Sequence, residues 1–245
     1  GLAGTGAGAV NALAGGGTLI SFPVLVGLGL PAVRANVTNL VALTPGYVAG
    51  TAAQRRDLEG QARQARALLP VAAAGGLVGS IVLVNTPAAS FREAVPYLLV
   101  FSSVLLAAQG PVRTFFARRS ARALVTPARA VGTPIVLSTF VSAVYGGYFG
   151  AGLGIMLLAL MGLFSEESLV RLNALKQALS FVISLVAAIF LAVAAHVAWT
   201  YAAVLAPCAV VGGILGGRFV RVVPASVLRL LVVVVGVAVA IRYWV

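Results

Sequence analysis

Two glycine clusters are the groups whose residue type and spacing could bind a ligand. Each cluster directly precedes a short apolar stretch that predicts a helix, so that helix would begin at the glycines. The N-terminus of a helix presents unpaired N–H groups and about half a positive charge, which together attract an anion. The alternative is that the glycines only allow helices to pack closely. The clusters are Gly15-Gly16-Gly17 and Gly150-Ala151-Gly152, and the expected anion contacts are Gly16, Gly17, Gly150 and Gly152.

Polar side chains inside the longer apolar stretches are further candidates for the same site. Such groups are costly to bury, so they usually serve binding. An arginine or lysine near the end of a stretch can instead extend its charge to the surface, and this role stays open for Arg34, Arg171 and Lys176. The expected site residues of this kind are Asn11, Arg34, Thr38, Asn39, Asn173, Lys176 and Gln177.

The composition places these apolar stretches in a membrane. Of the 245 residues, 61% are hydrophobic and 9% are charged, and the mean hydropathy is +1.07. A soluble domain carries about a quarter charged residues. A cytosolic enzyme, a nucleic-acid-binding protein and a secreted disulfide-rich module are therefore excluded. The net charge of +12 then reflects arginines in cytoplasmic loops rather than a polyanionic partner.

Metal and cofactor chemistry is not expected from these residues. The chain has one cysteine and one histidine, which cannot form a disulfide or a multi-histidine metal site. We expect Cys208 to be a small packed side chain. The phosphate-binding pattern GxxxxGK[ST] does not occur in the sequence, so ATP is not the expected energy source and no cofactor is predicted.

The chain contains an internal repeat. At a constant offset of 137, Arg34 matches Arg171 and Asn36 matches Asn173, and upstream the offset is 135. Proline, charge and glycine matches at one offset indicate a duplication. The repeat divides the chain into a first membrane repeat (1–112), a basic cytoplasmic linker (113–130) and a second membrane repeat (131–245). Paired glycines expected to serve packing are Gly75, Gly76 and Gly79 with Gly212, Gly213 and Gly216.

The arginines favour inverted over parallel repeats. Loop 55–66 of the first half carries four arginines, whereas the matching loop 192–200 carries none and the next loop, 218–229, carries three. Because cytoplasmic loops collect arginine and lysine, the two halves are predicted to have opposite orientations. Each half then needs an odd number of crossings. Parallel repeats with eight crossings are the alternative.

The predicted fold is an all-α polytopic membrane protein. The apolar stretches 18–29 and 153–164 are about 18 Å long as helices, too short for a hydrocarbon core of about 30 Å. Each glycine-broken stretch is therefore predicted to form a helical hairpin that does not cross the membrane. Three transmembrane helices follow the hairpin in each half.

The sequence around the first glycine cluster resembles the first signature of the TauE/SafE sulfite-exporter family, the TSUP anion permeases. The resembling residues are Gly15-Gly16-Gly17, Pro23-Val24-Leu25, Gly27-Leu28-Gly29-Leu30-Pro31 and 35–38. Gly150-Ala151-Gly152, with Asn173 and Lys176, looks like a degenerate second copy. The resemblance implies export of small sulfur oxyanions or sulfonates, such as sulfite, sulfoacetate or thiosulfate, across the bacterial inner membrane.

We therefore expect a multi-pass secondary transporter of the bacterial inner membrane, rather than an enzyme, that exports sulfite or an organosulfonate. Moving one negative charge out of a cell with a negative interior releases about 2.3 kcal/mol per 100 mV. Import or export of another small anion such as thiosulfate, and a non-transporting scaffold subunit, are the alternatives. The expected partners are a small anionic substrate and the lipid bilayer. Nucleic acid is not expected, and a homodimer is left open.

Overall fold

The computed structural model describes residues 4–8, 16–122, 132–165, 167–219, 233–234 and 236, and all regular structure in this part is helical. Residues 4–8 are helical, and a short 3₁₀ turn covers Arg55–Leu58. Asn11 and Gly15 lie outside the described residues. The α-helices that follow are α1 (Thr18–Gly27), α2 (Ala32–Ala53), α3 (Ala62–Asn85), α4 (Ala88–Arg122), α5 (Thr133–Tyr148), α6 (Leu153–Phe164), α7 (Leu169–Ala194) and α8 (Trp199–Phe219).

Three of these helices are long and apolar enough to cross a bilayer. They are α3, the segment Ala88–Val112 of α4, and α7. A crossing of the hydrocarbon core needs about 20 residues, and each of these segments exceeds that length. Large apolar side chains on them point outward, and Val193 of α7 is 88% exposed. The predicted all-α class is confirmed, and the three long apolar helices are consistent with a membrane protein.

Helix α4 continues past the predicted end of the first repeat. It is a single helix of 35 residues, about 52 Å long, which exceeds the thickness of the hydrocarbon core. The basic residues 113–122, predicted to begin the linker, therefore extend this helix. Arginine and alanine, which are frequent there, are good helix formers. Residues 123–130 of the predicted linker lie outside the described part.

Helices α5 and α6 have the lengths that the predicted hairpin requires. They contain 16 and 12 residues, so they are about 24 and 18 Å long and neither reaches across the core. The two helices pack against each other and are joined at Gly150–Gly152. In the first half, α1 has 10 residues and begins directly after Gly17.

Helices α2 and α7, which the offset of 137 predicts to be repeat-mates, pack against each other in antiparallel directions. The Thr44 hydroxyl donates to the Ser184 carbonyl oxygen at 3.1 Å. Further along α2, the Thr51 hydroxyl donates to the Gln177 carbonyl oxygen at 3.4 Å. Residue numbers rise along α2 as they fall along α7. The start of each helix therefore lies beside the end of the other.

The remaining contacts between the halves follow the same reciprocal scheme. Helix α3 packs on α5 and α7, and its repeat-mate α8 packs on α2. Gly4 and Gly8, in the helical segment 4–8, approach Cys208 and Ala209 of α8. In each half, the helix that follows α2 or α7 therefore packs against the other half.

The glycines of α3 allow close packing, as predicted. A Cβ on Gly75 would lie 2.6 Å from the Ala143 Cβ, and a Cβ on Gly79 would overlap the Val144 carbonyl oxygen. Real Cβ atoms do not approach so closely, so these positions require glycine. Gly76 approaches α7 in the same manner.

Candidate functional site

The first glycine cluster is locked to α2 by a small buried polar group. Gly17 precedes α1, and the Ser21 hydroxyl reaches both the Gly17 carbonyl oxygen, at 3.1 Å, and the Asn39 Oδ1. The Asn39 Nδ2 donates to the Thr18 hydroxyl at 3.1 Å. Thr18, Ser21 and Asn39 are all buried. Both ends of the Asn39 amide therefore hold α1 against α2, which satisfies these polar groups within the protein.

The second glycine cluster is a turn with left-handed backbone at two positions. Gly150 has φ +79° and Gly152 has φ +76°, a region that residues with a Cβ seldom adopt. The Tyr145 hydroxyl donates to the Ala151 carbonyl oxygen at 2.6 Å and lies 2.7 Å from the Ser102 hydroxyl. These contacts fix the turn between α5 and α6.

Three backbone N–H groups at this turn have no hydrogen-bond partner among the described residues. The turn uses the N–H of Leu153, which donates to the Gly150 carbonyl oxygen at 3.3 Å. The first turn of a helix leaves N–H groups without intrahelical acceptors. The groups in question belong to Ala151, Gly152 and Gly154, and all three residues are buried. Buried N–H groups of this kind are suited to an anionic acceptor.

The structure brings the second glycine cluster to the first half of α2. A Cβ built on Gly150 would lie 3.0 Å from the Leu40 Cδ2. The turn therefore lies against α2 at Leu40, the residue that follows Asn39. The Asn36 Nδ2 donates to the Tyr148 carbonyl oxygen at 2.8 Å, one turn earlier on α2. Gly150 and Asn39, two of the predicted site residues, therefore lie at the same level of the molecule.

Lys176 and its neighbours form a separate group. Lys176 is 5% exposed, and its ammonium donates to the Asn173 Oδ1 at 3.0 Å. The Asn173 Nδ2 donates to the Gln54 Oε1 at 2.7 Å. The Gln177 carbonyl oxygen accepts from Thr51, so this group lies at the level of Thr51. Twelve residues separate Thr51 from Asn39, about 18 Å along the helix.

Thr38 and Arg34 lie on the first turns of α2. Thr38 is buried, and its hydroxyl accepts a hydrogen bond from the Ala198 N–H at 3.0 Å. Arg34 is exposed and lines a surface cleft between the start of α2 and the start of α8. Thr38 therefore lies at the level of Asn39, whereas Arg34 lies about 7 Å nearer the start of α2.

Residues 1–243 match the family model of the sulfite exporter TauE/SafE. The chain belongs to the TauE/SafE family. The match confirms the resemblance seen in the sequence. Since TauE/SafE proteins are membrane transporters of sulfur-containing anions, the expectation that the chain is not an enzyme is also confirmed. Neither the curated proteins nor the solved structures contain a match.

Tyr145 and Ser102 are two residues of the candidate site in this TauE/SafE protein that were not predicted from the sequence. They contact the second glycine cluster from α5 and α4, and 43 positions separate them in sequence. Only the tertiary fold brings them together. Thr18 and Ser21 were also missed, although their spacing of three on a short helix places both hydroxyls on one face.

The described residues of this TauE/SafE chain contain no group of three or more His, Cys, Asp and Glu side chains that could hold a metal ion. Its candidate ligand groups are instead backbone N–H groups, hydroxyls, amides and one buried ammonium. Such groups bind an anion by hydrogen bonds and charge.

Proposed function

We propose that the protein is a secondary transporter that exports a small sulfur-containing anion, sulfite or an organosulfonate, across the bacterial inner membrane. The observation that carries this proposal is the set of buried N–H groups at Ala151, Gly152 and Gly154. A sulfur oxyanion has several oxygen acceptors on one centre, which suits N–H groups clustered on one turn. Export is the direction that the membrane potential favours for an anion.

Neutral donors suit transport better than a fixed cation at the same place. A transporter must bind its substrate and then release it. Backbone N–H groups and the α6 dipole contribute about half a positive charge, less than a full ion pair. The proposed central site comprises the predicted residues Gly16, Gly17, Thr38, Asn39, Gly150 and Gly152. At the second cluster the donors are the N–H groups of Ala151, Gly152 and Gly154, because the Gly150 N–H already donates to the Tyr145 carbonyl oxygen.

The group around Lys176 is proposed as the approach to this site from the basic side of the molecule. Its buried ammonium donates to Asn173, which in turn donates to Gln54, directly before the arginine-rich segment 55–66. A positive charge at partial depth draws an anion inward, because ionisable groups inside spans usually mark ion pathways. Asn173 and Gln177 complete this second group.

The two halves are proposed to be inverted repeats. The antiparallel packing of α2 and α7 supports this arrangement, because these helices occupy equivalent positions in the repeat. A two-fold axis that exchanges two antiparallel helices is perpendicular to them. If the helices cross the membrane, the axis lies in its plane, as in transporters with inverted repeats.

Counterflow of labelled sulfite in proteoliposomes tests the proposed function. Liposomes preloaded with unlabelled sulfite should accumulate the label transiently, and an accepted sulfonate added outside should abolish that accumulation. Thiosulfate, sulfoacetate and sulfate are then compared as competitors at equal concentration. Preference for thiosulfate would instead favour the alternative anion, and absence of counterflow with every anion would contradict the proposal.

A further inference from the structure

A cleft opens at the end of α2 that lies away from the basic segment 55–66. Its volume is about 290 Å³. Its walls come from the α1–α2 loop and the start of α8, which belong to different halves of the chain. The residues that line it are Leu28, Gly29, Leu30, Pro31, Arg34, Ala198, Trp199, Thr200 and Tyr201.

Arg34 is the charged residue of this cleft, and no acidic residue lines it. The described part of the chain provides no hydrogen-bond or ion-pair partner for its guanidinium. The aromatic side chains of Trp199 and Tyr201 are 58% and 37% exposed at the rim. The cleft therefore combines a guanidinium with nearby hydroxyl groups from Thr200 and Tyr201.

The repeat shows that a partner for this arginine is missing from one half only. Arg171, the repeat-mate of Arg34, forms an ion pair with Glu167, four residues before it, with a distance of 3.2 Å between Nε and Oε2. Glu167 lies where the offset changes from 135 to 137, and the corresponding residue in the first half is Leu30 at one offset and Ala32 at the other, neither of them acidic. The second half thus neutralises its arginine internally, whereas the first half leaves the same position open to a cleft.

We infer that the Arg34 cleft is a binding site for an oxyanion group. A guanidinium presents several N–H donors in a planar fork that matches two oxygens of a sulfonate or a phosphate. The volume suits a small ligand, because pockets for drug-sized molecules begin at about 300 Å³. The group is carried either by a free sulfonate or by a phospholipid headgroup, and the free-sulfonate form rests on the function proposed above.

Fluorescence of Trp199 reports occupancy of the cleft. The chain has two tryptophans, so Trp244→Phe leaves Trp199 as the single emitter. This variant, in an uncharged maltoside detergent, is titrated with ethanesulfonate at constant ionic strength and separately with short-chain phosphatidylglycerol. A saturable response to ethanesulfonate assigns the site to a free anion, and a response to the lipid alone assigns it to a headgroup.

Two sets of variants test whether Arg34 carries the binding. Arg34→Gln should raise the apparent Kd about tenfold or more, the loss expected for one charge-assisted hydrogen-bond partner. Leu30→Glu recreates the spacing of the Glu167–Arg171 pair and should weaken binding similarly. Leu30→Gln is the matched uncharged variant: because it makes the same loss of leucine at this buried lining position, it should raise the Kd less than Leu30→Glu does. If one variant does not fold, the other set still gives the answer.

Two results would overturn the site: no saturable response to either titrant, or a response unchanged in both Arg34→Gln and Leu30→Glu. Sulfite counterflow is measured on the same variants. Counterflow without a Trp199 response overturns the cleft site and leaves the proposed function standing. An Arg34-dependent response without counterflow of any sulfur anion supports the cleft site and contradicts the proposed function.

Discussion

At the scale of single residues, Gly152 combines a left-handed backbone conformation, which glycine adopts without strain, with a position at the candidate anion donors. A Cβ there would meet only ordinary contacts, the nearest being the Leu105 Cδ1 at 3.4 Å. Gly152→Ala therefore adds backbone strain of about 1 kcal/mol or more without a clash. We expect this strain to shift the N–H groups and reduce sulfite counterflow by about tenfold while most of the protein still folds.

Gly60→Ala is the matched control for this substitution. Gly60 has φ +78° and its added Cβ would meet only the end of the Arg171 side chain at 3.4 Å. Both variants then carry the same kind of strain, but Gly60 lies in the loop before α3, away from the turn. Equal loss of counterflow per folded molecule in the two variants would remove Gly152 from the site.

Lys176, the single lysine of the chain, is expected to serve anion entry through its charge. Lys176→Met keeps the length of the side chain and removes the ammonium that Asn173 holds. We expect a higher KM for the anion, by about tenfold, because a buried charge-assisted contact contributes roughly 1.5–3 kcal/mol. Lys176→Arg, which keeps the charge, should recover part of the affinity. An effect on membrane insertion and abundance alone would assign Lys176 to topology.

At the scale of helices, the contact between α3 and α5 depends on glycine. Gly79→Ala would force its Cβ into the Val144 carbonyl oxygen, and the backbone would have to move. Overpacking of this kind costs about 1–3 kcal/mol. We expect a clear drop in the thermal unfolding temperature and in the yield of monodisperse protein. Gly27→Ala, at a position with nothing within 4 Å of the added Cβ, is the control and should behave like the parent.

The positions of the short helices were predictable from sequence, whereas the length of α4 was not. Helices α1 and α6 begin directly after Gly17 and Gly152, as the glycine clusters predicted. Apolar length alone predicted an end near Val112, but helix formation continues to Arg122 because backbone hydrogen bonding does not require a membrane. Hydropathy indicates which part of a helix is buried in lipid, whereas helix propensity influences how far the helix continues beyond that part.

The burial of several predicted site residues could be expected from the sequence, but their arrangement could not. At the offset of 137, Lys176 corresponds to Asn39, and both residues are buried. Because α2 and α7 run in opposite directions, equivalent residues are carried to opposite sides of the molecular centre. The contact of Ser102 with the Tyr145 hydroxyl, which donates to the Ala151 carbonyl oxygen, depends on tertiary packing, which no local sequence pattern predicts.

At the scale of the whole molecule, the orientation of the two halves is open to a direct test. In a Cys208→Ala background, cysteines replace Ala62, at the start of α3, and Ala89, at the start of α4; both positions are exposed. In intact cells, an impermeant thiol reagent should label the cysteine at Ala89 and leave the one at Ala62 unmodified. The reason is that arginine-rich loops stay in the cytoplasm.

Permeabilised cells provide the control for this labelling, since both cysteines should then react. Reaction at Ala62 in intact cells would place the segment 55–66 outside and overturn the proposed orientation. Reaction at both positions only after permeabilisation would show that α3 does not cross the membrane as a single span.

Arg171 has an ion-pair partner and Arg34 has none among the described residues. This difference bears on which of the two transport states, inward-open or outward-open, has the lower free energy. In a transporter made of two identical inverted halves, the inward-open and outward-open states exchange by symmetry and have equal free energy. The Glu167–Arg171 pair, joined by a contact from Gln64, occurs at one end only. A partly exposed pair contributes about 0–1 kcal/mol, enough to change the ratio of the two states by up to about fivefold. With the proposed inverted repeats, this single acidic residue is therefore expected to give the carrier a preferred resting side.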